Sequence, residues 1–270
     1  MLNKTFVTNI HRSSTDGQSF VRCSFVSRNQ LHMMVRMPQE FTNGSLEKIA
    51  TQVRGCTLCK LSRSRKNAVP GEGQLPAKIM LIGEAPGKNE DEKGQPFVGA
   101  AGKALDLALE KSGIPRQSVF ITNIVKCRPP DNRIPEPEEQ IACRPYLDRQ
   151  ISLISPQIIC ILGNTAYSSL LGGKSVMADR GKILKRDGQK YLITIHPAAA
   201  IYNRNFRSVL EDDLSLLGQE IEKRQKNSVR SRSLDNLEGY TQQREQQQGP
   251  GKEKKRTMKK KRNKKMKKQK

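Results

Sequence analysis

Four short runs of apolar, largely β-branched residues constrain this chain more than any other feature: Lys78 to Ile82, Ser118 to Val125, Ile158 to Leu162 and Tyr191 to Ile195. Each has the length of one strand. All four are continuously apolar rather than alternating, which is the pattern of parallel strands covered on both faces. Helical patterns lie before and between them. Leu46, Ile49, Ala50 and Val53 recur at helical spacing behind Ser45 as an N-cap, Ala101 to Leu109 and Glu138 to Ile154 fill the first two crossovers, and Phe206, Leu210, Leu214, Leu217 and Ile221 form a late apolar stripe. Strands alternating with helices predict an α/β fold, a three-layer α/β/α sandwich around a central, mainly parallel four-stranded sheet. Between Lys182 and Ile195 an Asp187-Gly188 turn joins two strand-like runs, so a β-hairpin is expected and an edge strand can run antiparallel.

The folded domain is expected to span 41–223. Beyond it, Gln225 to Pro250 is polar and nearly free of large apolar groups, and a lysine-rich tail follows. The formal net charge of the 270 residues is +23, with a pI of about 10.0, which points to a polyanionic partner. From Gly251 to Lys270 thirteen Lys or Arg stand against one Glu, so this tail holds +12 of that charge. Lys252, Lys254, Lys255, Arg256, Lys259, Lys260 and Lys261 are its candidate DNA-binding residues, and 224–270 is expected to be disordered. Residues 1–40 are basic and poor in acids, as a transit peptide is, but lack the apolar core of a secretory signal. They are expected to be a disordered extension, or an artefact of the gene model with the true start at Met33, Met34 or Met37. No apolar run reaches the roughly 18 residues of a membrane span, so no membrane partner is expected.

Six cysteines in a chain of this length are too few for a disulfide-stapled scaffold, and a reduced, intracellular protein is expected. Cys56-Thr-Leu-Cys59 is a close pair that can grip one metal centre, and Cys127 and Cys143 form a second, wider pair. Both of the latter sit in cationic, proline-containing surroundings, Cys127-Arg-Pro-Pro130 and Cys143-Arg-Pro145, where a thiolate is easily kept ionised. Four thiolates suit a tetrahedral zinc or a cubane iron–sulfur cluster, and spacing does not choose between them. Cys160, within an apolar strand, is assigned to the core, and Cys23 is left over.

Ligands of open α/β sheets bind beyond the carboxyl ends of the strands. The first run leads into Gly83-Glu84-Ala85-Pro86-Gly87, a tight turn with Glu90 and Asp91 close behind. The second delivers Asn123, a carboxamide with a donor and an acceptor in one plane, suited to reading the edge of a base. The fourth ends at His196-Pro197. The other two of the three histidines lie in the N-terminal segment, so His196 is the candidate catalytic histidine.

Taken in order, Cys56-x-x-Cys59, Val69-Pro-Gly-Glu-Gly73, Gly83-Glu-Ala-Pro-Gly87, Gly94-Gln-Pro-Phe-Val-Gly99, Thr122-Asn-Ile-Val-Lys-Cys-Arg-Pro-Pro130, Cys143 and His196-Pro197 resemble the family 4 uracil-DNA glycosylases of bacteria and archaea. The resemblance covers about Leu46 to Leu217. It implies the uracil-DNA glycosylase fold, a [4Fe–4S] cluster on Cys56, Cys59, Cys127 and Cys143, and a flipped uracil surrounded by Glu84, Ala85, Glu90, Phe97, Asn123 and His196. It also implies catalysis by Asn123 and His196 with Glu84, hydrolysis of the N-glycosidic bond of uracil in DNA, and entry into base excision repair. Phe97 would stack on the base, Asn123 would read N3–H and O4, and His196 would stabilise charge near O2. Glu84 or Glu90 would position water, and Glu90 would also block a thymine methyl group. Ala85 stands where the best-known uracil glycosylases carry a water-orienting carboxylate. A monomer acting on uracil-containing DNA in the nucleoid of a prokaryotic cytoplasm is expected. A non-catalytic iron–sulfur DNA-binding module, or a zinc protein bound to RNA, would suit the basic tail equally well, but neither needs Asn123, Phe97 and His196 in one mouth.

Overall fold

In the computed structural model, residues 45–73 and 75–223 are described. The expectations for residues 1–40 and for the basic tail lie outside them.

Ser45 caps the first helix, α1 (Leu46–Arg54), by accepting a hydrogen bond from Lys48 N, and Ile49 and Val53 turn inward. A short α2 (Leu61–Ser64) follows, then β1 (Ile79–Gly83). The crossover to β2 (Val119–Asn123) holds α3 (Lys88–Lys93) and α4 (Ala100–Lys111). That to β3 (Ile158–Leu162) is the long α5 (Pro137–Ile154), with Pro137 at its start and a Glu136/Glu139 capping box. Next come α6 (Asn164–Leu171), α7 (Val176–Asp179), β4 (Ile183–Arg186), β5 (Gln189–Thr194) and α8 (Ala199–Tyr202). The last helix, α9, runs over 205–223.

The sheet order is β2-β1-β3-β5-β4, parallel throughout except for β4, which pairs antiparallel with β5. Every residue of β1, β2 and β3 is buried, so both faces of the central sheet are covered and the continuous apolar runs have their physical reason. The sheet has five strands rather than the four expected. The fifth is the hairpin strand β4, and its Asp187 and Gly188 have φ of 50° and 80°, the left-handed pair that a two-residue hairpin turn needs. β2 is also shorter than the apolar run Ser118 to Val125. Ile124 and Val125 are buried but leave the ladder, donating instead to Gly83 O and Glu84 O beyond the end of β1.

The outer edge of β2 is covered by Val69–Gly73. Glu72 and Ile121 exchange backbone hydrogen bonds and Val69 N donates to Lys126 O, which protects an otherwise open edge. At the other side α9 is tied to the sheet through Asp213, fully buried, which takes two hydrogen bonds from Arg180 and one from Thr194 Oγ1. Leu210, Leu214 and Leu217 of the same helix are buried, in keeping with the late apolar stripe.

Chain order reverses direction across the sheet at β1, whose neighbours β2 and β3 lead to opposite edges. A crevice beyond the carboxyl ends is expected at such a switch point. The register makes it concrete: Gly83 at the end of β1 lies level with Asn123 at the end of β2, and Leu162 of β3 lies level with Thr194 of β5, two residues before His196.

Candidate active site

Asn123 is almost fully buried, and among the described residues its Oδ1 has no hydrogen-bond partner. A buried, unpaired amide oxygen is costly, on the order of 1–3 kcal/mol, and persists where something else is meant to complete it. Its neighbours on the sheet leave it room. A Cβ on Gly83 would stand 2.5 Å from Asn123 Oδ1 and 2.7 Å from Phe97 Cζ, so only glycine lets the amide and the phenyl ring approach each other over the end of β1. Gly163, at the end of β3 with φ of 93°, plays the matching part for His196, whose Cβ would lie 2.9 Å from an added methyl group. Gly83 opens the ligand-facing turn after β1, and Gly163 follows directly on β3. A glycine at the carboxyl end of a buried strand is the signal that marks both.

Phe97 is buried with its ring centroid 5.8 Å from that of His196 and tilted by 31°. It adopts a left-handed backbone, φ 50°, which is unfavourable for a bulky side chain and must be held by its surroundings. Glu90 does this. Its Oε1 accepts from Val98 N at 2.9 Å and Gly99 N at 2.8 Å, and its Oε2 accepts from Gly87 N at 3.1 Å. The carboxylate expected to position water, or to meet the base, therefore clamps the Phe97 loop to the start of α3. Asp91 is likewise committed to backbone, accepting from Lys66 N and Asn67 N. Glu84 is half-buried and Ala85 beside it likewise, and Glu84 makes no side-chain hydrogen bond among the described residues.

His196 is half-buried as a residue. Ala198 N donates to its Nδ1 at 3.2 Å, so the neutral ring carries its proton on Nε2. Burial pulls its pKa down from 6.5 to about 4, against the opposing pull of the Glu90 charge. At neutral pH the site thus holds a neutral imidazole with an N–H to offer.

Further along the same strand connection, the four expected metal-ligand cysteines line one pocket. Cys56 and Cys59 come from the turn between α1 and α2, Cys127 from the segment after β2 and Cys143 from α5, and Arg65, Lys126 and Tyr146 share the lining. Arg65 Nη1 donates to Cys127 Sγ at 3.0 Å and Lys126 N to Cys143 Sγ at 3.2 Å. As thiols, Cys59, Cys127 and Cys143 are all pushed up by burial, Cys143 to about 12, with Arg65 pulling Cys127 back and Lys126 pulling Cys143 back. Among the described residues no three His, Cys, Asp or Glu side chains are close enough to hold a single metal ion. The donor set nevertheless fits a thiolate-bound cluster: four sulfurs around one pocket, two of them already receiving N–H bonds and two cations within reach of the charge that deprotonation would bring. Cys160 is fully buried in β3, as expected of a core residue.

The arrangement matches a known family. Residues 70–214 match the uracil DNA glycosylase superfamily. The chain belongs to that superfamily, in its type-4 branch. It is 52% identical over 179 residues to a type-4 uracil-DNA glycosylase of Sulfurisphaera tokodaii, covering 63% of this chain and 81% of that protein. Against the type-4 enzyme of Thermotoga maritima it is 45% identical over 173 residues, 62% of this chain and 90% of the relative. Against that of Archaeoglobus fulgidus it is 40% identical over 190 residues, 67% of this chain and 96% of the relative.

The depressed pKa of His196 has a consequence for stability. Between 6.5 and about 4 the unfolded chain binds a proton that the folded chain does not, so this residue's contribution is complete above 6.5 and is lost as pH falls towards 4. The melting temperature of the native chain should therefore fall more steeply than that of His196→Asn between about pH 7 and pH 4.5. Parallel curves would show that His196 is not held neutral.

Proposed function

We propose that this protein is a uracil-DNA glycosylase that flips uracil out of DNA and hydrolyses its N-glycosidic bond, leaving an abasic site for base excision repair. The observation that carries this reading is the buried, unpartnered Oδ1 of Asn123 beside the Phe97 ring. A base within a duplex is inaccessible to a hydrolytic site, so the nucleotide is extruded, which takes a few kcal/mol and least for a mispaired base. Uracil N3–H then donates to Asn123 Oδ1, while the amide's Nδ2 donates to O4. Cytosine presents the reverse at both atoms and would leave the buried oxygen without a partner, so discrimination follows from the cost of an unmade hydrogen bond. Phe97, fixed by the Glu90 clamp, offers an apolar face for the ring.

As the bond breaks, the electron pair stays on the uracil and the sugar becomes cationic before water adds to it. The Nε2–H of His196, directed at the base O2, meets the charge as it develops. Glu84 is the glutamate of the pair left to hold water. The cysteine pocket supports a [4Fe–4S] cluster on Cys56, Cys59, Cys127 and Cys143. Hydrolysis moves no electrons, so the cluster's part is to tie the α1–α2 turn, the end of β2 and α5 together.

The full chain, incubated in excess with a single-uracil oligonucleotide and then treated with alkali, is expected to cut the strand at the uracil. No cleavage would overturn the reading. Asn123→Asp should weaken selection of uracil over cytosine, and His196→Asn should lower the single-turnover rate roughly 100-fold or more. Unchanged rates in both variants would remove these residues from the site.

Protein purified without oxygen should be brown and carry about four irons and four acid-labile sulfides per chain. Stoichiometric zinc without iron would refute the cluster.

The basic segment around Lys252 to Lys270 is proposed as a sequence-independent DNA anchor, because each lysine that neutralises a phosphate releases a counterion. Removing residues 224–270 should weaken duplex binding and flatten its salt dependence, with excision at saturating substrate retained. Full affinity of the truncated chain at physiological salt would rule the anchor out.

A further inference from the structure

Lys126 is the one lysine among the fully buried side chains of the described residues, and besides its charge beside the cysteine pocket its side chain makes a second set of contacts. It lies three residues after Asn123 and directly before the cluster ligand Cys127. Its Nζ donates to Thr122 Oγ1 at 2.5 Å, to Asn123 O at 2.8 Å and to Gln150 Oε1 at 2.7 Å. All three are acceptors by necessity. Thr122 spends its own hydroxyl proton on Pro70 O, Gln150 spends its amide N–H on the same Pro70 O, and Asn123 O is a carbonyl. Three acceptors in contact take three N–H bonds, which an ammonium ion supplies and a neutral amine does not, and this network opposes the burial that lowers the pKa from 10.5 to about 8. Burying a lysine charge is expensive unless it is fully hydrogen-bonded, and this one is.

The network sits where regular pairing stops. β2 ends at Asn123, and the chain then turns so that Ile124 N and Val125 N donate to Gly83 O and Glu84 O. Folding back over this turn, the lysine side chain bonds the two residues that end the strand and cross-links them to α5 through Gln150. Through Pro70 it also reaches the segment covering the outer edge of β2. The backbone carbonyl it grips belongs to the residue whose carboxamide must meet the base. Since that side chain is buried against Gly83 and Phe97 with no partner at Oδ1, its placement depends on the placement of its backbone.

We infer that Lys126 is a positioning residue for excision: its buried ammonium fixes the Asn123 backbone so that the carboxamide is held ready for the uracil edge. This rests on the reading that Asn123 meets the base. Displacement of a reacting group by about 1 Å can lower a rate about 100-fold, so a clamp of this kind acts on the chemical step rather than on DNA binding.

A double-mutant cycle on the full-length, iron-loaded chain tests it. Single-turnover excision is measured as a function of enzyme concentration for the native chain, Lys126→Met, Asn123→Ala and the double variant, with iron content and melting temperature determined for each. Lys126→Met is expected to lower the maximal rate about 10- to 100-fold, with the half-saturating enzyme concentration little changed. In the Asn123→Ala background the same substitution should lower the rate by no more than about threefold, because the group it positions is gone. Equal losses in both backgrounds, or a native rate in Lys126→Met, would overturn the inference and leave the lysine a structural ion. An Asn123→Ala chain that excises uracil at the native rate would instead overturn the reading of Asn123, and the inference with it. If Lys126→Met purifies without iron or does not melt cooperatively, Thr122→Val takes its place in the cycle. It removes one acceptor and leaves the lysine, and the same non-additivity, with a smaller loss of roughly threefold to tenfold, is expected.

Discussion

The missing side chain of Gly83 is the constraint on which the site depends. Parallel pairing brings the end of β1 level with the end of β2, and at that level three groups compete for one space: the β1 backbone, the Asn123 carboxamide and the Phe97 ring. Any Cβ there would overlap both partners. Once the space is left open, the amide can be buried without being paired, and the ring can lie over the strand end in a backbone conformation it would not choose. Glu90 holds that conformation with three backbone hydrogen bonds, and the Phe97 carbonyl packs so closely on Gly102 of α4 that an added Cβ would come within 1.8 Å of it. Strain in the loop is balanced by hydrogen bonds and close packing just outside it.

If Asn123 meets the base as proposed, specificity and stability are set by the same unmade hydrogen bond. An amide oxygen left unpaired in the free protein destabilises it slightly, and the base that completes the bond recovers that free energy on binding. A base with the reverse donor pattern recovers none and adds a repulsion. The polar groups nearby are satisfied in full by contrast. Thr122, Lys126, Gln150 and Pro70 close a hydrogen-bonded network, so among the described residues around them the unpartnered buried oxygen is the one proposed to meet the base.

The strands, most helices and the Asp187-Gly188 hairpin were legible in the sequence because burial on both faces writes an unbroken apolar run and a primed turn demands residues that tolerate positive φ. Where the second strand stops was not. Ile124 and Val125 are as apolar as the residues before them, and only the partner strand decides that the ladder ends at Asn123. Asn123 and His196 stand out in the sequence because each lies at the carboxyl end of a strand-like run, Phe97 only through the family resemblance, and the four cysteines because each carries its own chemistry. The backbone hydrogen bonds of Glu90 are not legible in the sequence, because two of its partners lie eight and nine residues further on. Lys126 was passed over for a similar reason. A lysine in a polar motif gives no sign of burial, and its partner Gln150 lies 24 residues away on α5.

In the proposed reaction, the neutral His196 bears on how the leaving base would be stabilised. Glu90 lies close enough to favour an imidazolium, yet burial outweighs it and the pKa falls to about 4. A cation would attract the departing uracil anion more strongly, but it would have to be created in a buried site where charge is disfavoured before any reaction began. A neutral N–H avoids that. It carries a fixed dipole whose interaction with O2 would strengthen as negative charge arrives, so the stabilisation would appear in the transition state rather than in the free protein. The same reasoning separates the two glutamates. Glu90 accepts from three backbone N–H groups, whereas Glu84, on the β1 turn beside Ala85, makes no side-chain hydrogen bond among the described residues. A small side chain at 85 leaves space where a carboxylate could have stood, and water held there by Glu84 would approach the cationic sugar without a second buried charge.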